Sequence, residues 1–194
     1  MRQSAFVRSV SQRRATALTV LGTAALGAVL ALVKGRDYGF GYFVGNLSMP
    51  YLVAAFLAGR LVTRRWVACA IGVLATWATL AGFYVSAELA FGYPSGSMTR
   101  FYAEWFIAGI SSGSVMGALG RESRERGWLA YVLPLALVLE PFAVVAVQLA
   151  GRFGGLHLQS PQLLAWSSEV GLGLLVSAVT VRVRTSRRQS VDAS

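Results

Sequence analysis

The stretch WVACAIGVLATWATLAGFYVSA, residues 66–87, contains no charged side chain and is bounded by Arg65 on one side and Glu88 on the other. A helix of about 20 apolar residues spans a bilayer core that is roughly 30 Å thick. Inside that core each backbone N–H and C=O needs a partner within the protein, and a helix supplies it within one segment. Residues 66–87 therefore predict a transmembrane α-helix.

Five further stretches of similar length and composition surround this one. Hydropathy places them at 15–33, 42–59, 101–119, 128–150 and 163–181. The connections between them are short, and the chain as a whole is 55% hydrophobic and only 13% charged. We therefore predict an all-α, multi-pass membrane protein in three parts: a basic arm at 1–14, a bundle of six transmembrane helices at 15–183, and a basic tail at 184–194.

Basic residues are unevenly divided among the segments outside these spans. Fourteen of the 18 Lys and Arg residues lie in 1–14, 60–65, 121–126 and 182–188, and the alternate segments hold the rest: Lys34, Arg36, Arg100 and Arg152. Because cytoplasmic loops are enriched in Lys and Arg, we predict a protein of the cell membrane with both termini in the cytoplasm. The basic loops are then candidate contacts for anionic lipid. Binding of nucleic acid is not indicated, since it requires basic residues clustered on one folded face or arm.

Four glutamates lie within or at the ends of the spans: Glu88, Glu104, Glu140 and Glu169. The orientation puts all four in the outer half of the membrane. An ionisable side chain at the bilayer centre costs about 2.5–3.5 kcal/mol or more, so each is a candidate functional residue. Glu140 is the deepest, and Pro141 after it interrupts the hydrogen bonding of its helix. Two alternatives remain open: Glu88 and Glu104 as rim residues among the headgroups, and Glu140 as a protonated side chain hydrogen-bonded within the bundle.

Aromatic and amide side chains accompany the glutamates in this half of the spans. Tyr84 shares a helical face with Glu88, and the stripe from Gln162 to Ser177 on the last span is polar or small throughout. We predict that the following residues contact a substrate: Trp77, Tyr84, Trp105, Trp166, Asn46 and Gln148. Tyrosine and tryptophan near helix ends are otherwise common as interfacial anchors.

Two local patterns concern the backbone. Asn46 and Ser48 precede Pro50, which predicts a polar, breakable point in the second span. Gly109, Gly113 and Gly117 recur at every fourth position of the fourth span. Such a ridge of small residues lets another helix approach closely, so we predict that it serves packing.

Two kinds of chemistry suit deep carboxyl groups beside aromatic rings. Burial disfavours the charged form of a carboxyl group, so a deep glutamate keeps a proton that it can donate as a general acid. Aromatic faces stabilise a desolvated cation by about 2 kcal/mol or more. These features suit protonation of an epoxide or alkene by Glu140, with Glu88, Glu104 or Glu169 as its partner or as the final base. They equally suit the binding of a cationic or aromatic small molecule for transport.

The stretches NLSMPYLVAAFLAG at 46–59 and AGFY at 81–84, with Ala108-Gly109 and Leu139-Glu140, resemble a family of small, uncharacterised actinobacterial membrane proteins. That resemblance implies six spans rather than an activity. In size, span count and intramembrane carboxyl groups the chain also resembles small integral-membrane terpene cyclases of secondary metabolism. This second resemblance implies an isomerase or lyase that cyclises a hydrophobic isoprenoid by acid initiation.

Neither a metal nor another cofactor is expected for such a reaction. The chain has one cysteine, so it contains no CxxC pair. The alternative function rests on another similarity: six spans in 194 residues, with Ala24-xxx-Ala28 on the first, are similar to the substrate-binding subunits of energy-coupling-factor transporters. Those subunits dock on a partner through small residues of the first helix.

Overall fold

A computed structural model of the chain describes residues 2–36, 39–92, 99–149 and 159–192. Every regular element in this part of the chain is helical, which confirms the all-α class. The α-helices are α1 (Arg2–Lys34), α2 (Phe40–Gly45), α3 (Met49–Arg60), α4 (Arg65–Phe91), α5 (Thr99–Glu122), α6 (Val132–Leu149) and α7 (Ser160–Asp192). A short 3₁₀ helix, Gly127–Tyr131, leads into α6.

Each predicted span coincides with one of these helices or with a pair of them. Within the described residues, five segments are long and apolar enough to cross a membrane: Thr16–Lys34, Phe40–Arg60, Arg65–Phe91, Gly127–Ala146 and Ser160–Arg182. Helix α5 is not among them, because its glycines, serines and Glu104 make it less apolar. Its 24 residues still give a length of about 36 Å. The chain therefore has the composition of a membrane protein, and the sixth span stays a prediction.

The second predicted span is interrupted, as the polar segment before Pro50 indicates. Helix α2 ends at Gly45 and α3 begins at Met49. The side-chain amide of Asn46 donates a hydrogen bond of 2.8 Å to the carbonyl oxygen of Tyr42, which helps to end α2. The break leaves the N–H of Ser48, at the start of α3, without an intrahelical acceptor.

Helix α4 contacts α5 through main-chain atoms at glycine positions, where no side chain separates the two helices. A Cβ atom on Gly72 would lie 2.2 Å from the carbonyl oxygen of Gly113, and one on Gly117 would lie 2.1 Å from that of Ala68. Both distances are shorter than a side chain tolerates, so α4 and α5 touch along their main chains. The packing role predicted for the glycine ridge of α5 is thereby confirmed.

Helix α1 packs against α4 in the same way. A Cβ atom on Gly27 would meet the carbonyl oxygen of Thr79 at 1.9 Å, and one on Gly82 would meet that of Ala24 at 2.0 Å. The main chain of Ala24 therefore packs against α4 within the bundle. Helix α4 lies between α1 and α5, and its register sets the positions of both.

The two basic loops meet at one end of the bundle. The Nε of Arg121 donates to the carbonyl oxygen of Thr63 at 2.9 Å, and Arg124 donates to that of Arg60 at 3.2 Å. Arg121 also forms ion pairs of 2.7 and 2.8 Å with Glu122 and Glu125. The second and fourth connections therefore lie together, as alternating antiparallel helices require.

Helices α6 and α7 form a pair that lies against α2 and α3. The buried face of α7 carries Gln162, Ala165, Trp166, Glu169 and Gly173. A Cβ atom on Gly173 would lie 2.8 Å from the carbonyl oxygen of Pro134, so this pair also approaches closely. Four members of the polar and small stripe predicted on the last span thus face the protein.

We expect Gly72→Ala to destabilise the protein, because the added methyl group meets backbone that cannot move aside. The expected loss is about 1–3 kcal/mol, measured as a lower midpoint of thermal unfolding in detergent. Gly22→Ala is the control, because nothing lies within 4 Å of a Cβ atom at Gly22. Equal midpoints for the two variants would contradict the backbone contact between α4 and α5.

Candidate functional site

A cavity of about 420 Å³ lies toward the end of the bundle opposite the basic loops. Helices α1, α3, α4 and α5 and the break between α2 and α3 supply its described wall. Its size is within the range of about 300–1,000 Å³ that is usual for small-molecule sites. The apolar part of the wall includes Leu52, Leu80, Phe83, Ala87 and Trp105.

Polar side chains of the wall come from several helices and from the α2–α3 break. Lys34 ends α1, Asn46 and Ser48 lie in the α2–α3 break, Tyr84 lies on α4, and Ser112 lies on α5. A few polar groups converging on an apolar chamber are typical of a site that orients a bound small molecule. The geometry therefore marks this cavity as the candidate ligand site.

Lys34 is held over two aromatic rings at the edge of the cavity. Its Nζ lies 5.2 Å from the ring centroid of Tyr42 and 5.4 Å from that of Phe83. Both distances fit cation–π interactions. Gly35, with φ +60°, ends α1 in a left-handed turn directly after this lysine. From its sequence Lys34 is predicted only to lie in a connection, because its contact with Phe83 depends on how α1 packs on α4.

Glu140 lies behind the cavity wall and is held by Ser48. The backbone N–H of Ser48 donates to Glu140 Oε1 at 2.7 Å, and the Ser48 hydroxyl donates to the same oxygen. The start of a helix has unpaired N–H groups and a positive dipole end, both of which favour a carboxylate. Glu140 of α6 therefore caps α3, which gives its deep position a structural reason.

Glu169 is the partner of Glu140. Its side chain is 4% exposed, and its carboxyl group lies close enough to that of Glu140 to hydrogen-bond once one of them carries a proton. Among the described residues, no donor reaches Glu140 Oε2 or either carboxyl oxygen of Glu169. Two buried carboxylates side by side repel each other, and a proton on one supplies a missing donor. We therefore expect the pair to share one proton.

The other two glutamates lie elsewhere. Glu88, near the end of α4, and Glu104, near the start of α5, are both exposed. Neither belongs to the described cavity wall. Of the three candidate partners that the sequence left open for Glu140, the structure brings Glu169 to it.

The predicted substrate-binding residues separate into three groups. Asn46, Tyr84 and Trp105 line the cavity. Trp77 lies behind the wall, where its indole N–H donates to the carbonyl oxygen of Phe106 at 2.9 Å. Trp166 is buried on α7, on the same face as Glu169. The side chain of Gln148 lies outside the described part of the chain.

Three wall residues have positions that the sequence does not predict or predicts only in part. Lys34 and Tyr51 line the cavity, and Ser48 both lines it and binds Glu140. A local signal existed for Ser48, because it lies in the polar break before Pro50. Within residues 2–36, 39–92, 99–149 and 159–192, no group of three or more His, Cys, Asp or Glu side chains could hold a metal ion.

Comparisons with models of protein families, with curated proteins and with solved structures found no match for this chain. The function has to be inferred from the geometry of the cavity and of the carboxyl pair.

We expect Glu140→Ala to lower the stability of the fold, because it leaves the partly buried Ser48 N–H without its acceptor. The expected loss is about 1–3 kcal/mol in the free energy of unfolding. Glu140→Gln is the matched control, since its amide oxygen can still accept from Ser48. Thermal unfolding in detergent compares the two, and equal losses would show that the cap is not what Glu140 provides.

Glu169→Gln tests the carboxyl pair separately. The amide N–H₂ can donate to Glu140 Oε2, which has no described donor in the wild-type protein. We therefore expect unchanged or higher thermal stability for Glu169→Gln, and a loss for Glu169→Leu if the two groups share a proton. A clear loss for Glu169→Gln would contradict the shared proton.

Proposed function

We propose that the protein binds a small, largely apolar molecule within the membrane, as a substrate-binding or transport component. The observation that carries this proposal is the cavity of about 420 Å³, with its apolar wall and its converging polar side chains. The proposal includes six spans with both termini in the cytoplasm. The cavity then lies in the outer half of the membrane.

Two features of the wall favour binding over catalysis by acid. The carboxyl groups of Glu140 and Glu169 are not part of the described cavity wall, and Ser48 separates Glu140 from it. Lys34 is part of that wall, and its ammonium group already lies over the ring of Phe83, an aromatic face that could otherwise stabilise a carbocation in the chamber. An acid-initiated reaction would therefore have to transfer its proton through the Ser48 hydroxyl and form a carbocation in the same chamber as the Lys34 ammonium group.

The Ala24-xxx-Ala28 stripe does not add support for a docking partner. The main chain of Ala24 lies against Gly82 of α4, so that part of the stripe packs within this chain. The proposal therefore concerns the ligand cavity and names no partner protein.

Filling the cavity tests the proposal. Ala108 lines it and is itself exposed, so Ala108→Phe can occupy the space at little cost to packing. Val115 lies two turns along the same helix on its exposed face, and Val115→Phe is the matched control. We expect mass spectrometry of the purified protein to find a co-purifying small molecule in the wild type and in Val115→Phe. Ala108→Phe should reduce its amount at least about tenfold, equivalent to about 1.4 kcal/mol of binding free energy.

Two results would contradict the binding function. One is that no small molecule co-purifies above the level in empty membranes. The other is that Ala108→Phe and Val115→Phe retain the same amount of it.

A second candidate function is acid-initiated cyclisation of an isoprenoid, and one contact favours it. The Ser48 hydroxyl reaches both the cavity and Glu140. It can therefore pass a proton from the carboxyl pair to an epoxide or alkene, while the pair later receives the proton lost by the cyclised cation. The net reaction is an isomerisation, so substrate and product have the same mass.

Membranes carrying only this protein, incubated with a farnesylated aromatic epoxide, test that reaction. The cyclase hypothesis predicts a product of unchanged mass, lost in Glu140→Gln and in Ser48→Ala and kept in Glu88→Gln. Unchanged turnover in Glu140→Gln would exclude Glu140 as the acid. Absence of any product would favour the binding function.

A further inference from the structure

The carboxyl pair behind the cavity has unused hydrogen-bonding capacity. Glu169 is 4% exposed, and among the described residues no donor reaches either of its carboxyl oxygens or Oε2 of Glu140. Buried polar atoms are nearly always paired, so three unpaired oxygens in one place need an explanation. A proton is the ligand that fits them, because it turns one carboxyl group of the pair into a donor for the other.

The packing of α6 on α7 brings these two carboxyl groups together. A Cβ atom on Gly173 would lie 3.0 Å from the Cβ atom of Leu137. Consecutive helices joined by a short connection run antiparallel. One turn back along α7 from Gly173 is Glu169, and about one turn forward along α6 from Leu137 is Glu140, so both lie at the same level of the pair. Their carboxyl groups are within hydrogen-bonding reach of each other.

Ser48 connects the carboxyl pair to the cavity. Its backbone N–H and its hydroxyl group both donate to Glu140 Oε1, and Ser48 also belongs to the cavity wall. We propose that the pair is a proton-binding site linked to the cavity: when the pair takes up a second proton, the Ser48 hydroxyl becomes available to donate to a molecule in the cavity. This inference rests on the proposed binding function and names its regulation by protons.

The strength of the Ser48 hydrogen bond depends on the charge of the pair. With one proton shared between the two carboxyl groups, a negative charge remains, and a hydrogen bond to a charged oxygen is about twice as strong as one to a neutral oxygen. A second proton makes both groups neutral and weakens the bond from the Ser48 hydroxyl to Glu140. A ligand with a carbonyl or ether oxygen can then accept from that hydroxyl. Proton and ligand therefore favour each other's binding, and by linkage each raises the affinity of the other by the same factor.

Other ionisable groups on the elements packed against the pair keep their charge over the relevant pH range. In the described part of the chain these groups are Tyr42 on α2, Tyr51 and Arg60 on α3, Tyr131 on the 3₁₀ helix, and Arg182 with the charged residues after it on α7. Phenol groups stay neutral and guanidinium groups stay charged below about pH 8. Arg182 is also about 20 Å from Glu169 along α7. The pair is therefore the group whose charge changes beside Ser48.

Ionisable groups elsewhere at this end of the bundle are controlled by substitution. Lys34 lies at the cavity edge, Glu88 and Glu104 are exposed, and Asp37 and His157 lie outside the described residues. Each can be replaced without touching the pair or Ser48. The control variants are Lys34→Arg, Glu88→Gln, Glu104→Gln, Asp37→Asn and His157→Gln.

Two uncharged probes of nearly the same shape test the link. The ketone oxygen of 2-acetonaphthone accepts a hydrogen bond, whereas 2-ethylnaphthalene has no acceptor, and neither probe titrates. Equilibrium dialysis against the purified protein in lipid nanodiscs, with empty nanodiscs subtracted, measures both affinities at about pH 4 and about pH 8, a range that includes the ordinary pKa of a glutamate side chain. We expect the ratio of ketone to hydrocarbon affinity to be at least about threefold higher at the lower pH.

Two variants should fix this ratio at opposite values. Glu140→Gln is neutral at every pH, so the ratio should stay at the wild-type value for low pH. Ser48→Ala lacks the hydroxyl donor, so the ratio should stay at the wild-type value for high pH or below it. The control variants should keep the wild-type dependence on pH. A carboxyl group that only caps α3 would not produce these opposite effects, and if one variant fails to fold, the other and the wild-type profile still decide.

Proton uptake is the reciprocal measurement. In weak buffer at about pH 5, saturating 2-acetonaphthone should cause the wild-type protein to take up protons, which a soluble pH indicator reports. The hydrocarbon probe should cause none, and neither probe should do so with Glu140→Gln.

Several outcomes would overturn the proton link. They are an affinity ratio that is the same at both pH values, a pH dependence that survives in Glu140→Gln or in Ser48→Ala, its loss in any control variant, or no saturable binding of either probe. The proposed function is decided separately by the molecule that co-purifies and by its loss in Ala108→Phe.

Discussion

The close approach of α4 to the helices on either side is the constraint on which the rest of the structure depends. Glycines on α1, α4 and α5 let the main chains touch, as at Gly27 with Thr79 and at Gly72 with Gly113. Lipid offers little hydrophobic drive for association between membrane helices, so packing of this kind carries much of the binding between them. Larger side chains, such as Leu80 and Tyr84, occupy α4 where the helices enclose the cavity. The cavity lies beside these close contacts, and Gly109 of the α5 glycine ridge is part of its wall.

The break between α2 and α3 leaves backbone N–H groups at the start of α3 that need an acceptor, and Glu140 accepts from one of them. A helix that begins inside an apolar bundle presents N–H groups that water cannot reach. The carboxyl group of Glu140 accepts from Ser48 and so joins the α6–α7 pair to the rest of the bundle. Its depth in the apolar sequence is therefore explained without catalysis, and a functional role for it needs evidence beyond burial. Such a role would have to act through Ser48, which contacts both Glu140 and the cavity.

Features decided within one segment were predictable from the sequence, and features decided between segments were not. Hydropathy predicted helical segments that coincide with the long helices of the described residues, and the spacing of Gly109, Gly113 and Gly117 predicted a packing ridge, because both signals are local. The ends of the helices were predicted less accurately. The first span was predicted at 15–33, whereas α1 extends back to Arg2. The choice of Glu169 over Glu88 and Glu104 as the partner of Glu140 needed the packing of α6 on α7. For the same reason Trp77 and Trp166, which have suitable positions along their helices, lie outside the cavity wall.

The positions of the carboxyl groups of Glu140 and Glu169 and of the ammonium group of Lys34 bear on which molecule the cavity could bind. In a medium of low dielectric constant, an ammonium group and a carboxylate that faced each other across the cavity would neutralise each other. Glu140 accepts from Ser48 and Glu169 lies beside it, both on the α6–α7 pair, while Nζ of Lys34 lies over the rings of Tyr42 and Phe83 at the edge of the cavity. The aromatic walls alone would suit a cation, as the sequence suggested. The protein's own ammonium group already lies over two of these rings, those of Tyr42 and Phe83, so a cation in the cavity would have to use other aromatic faces.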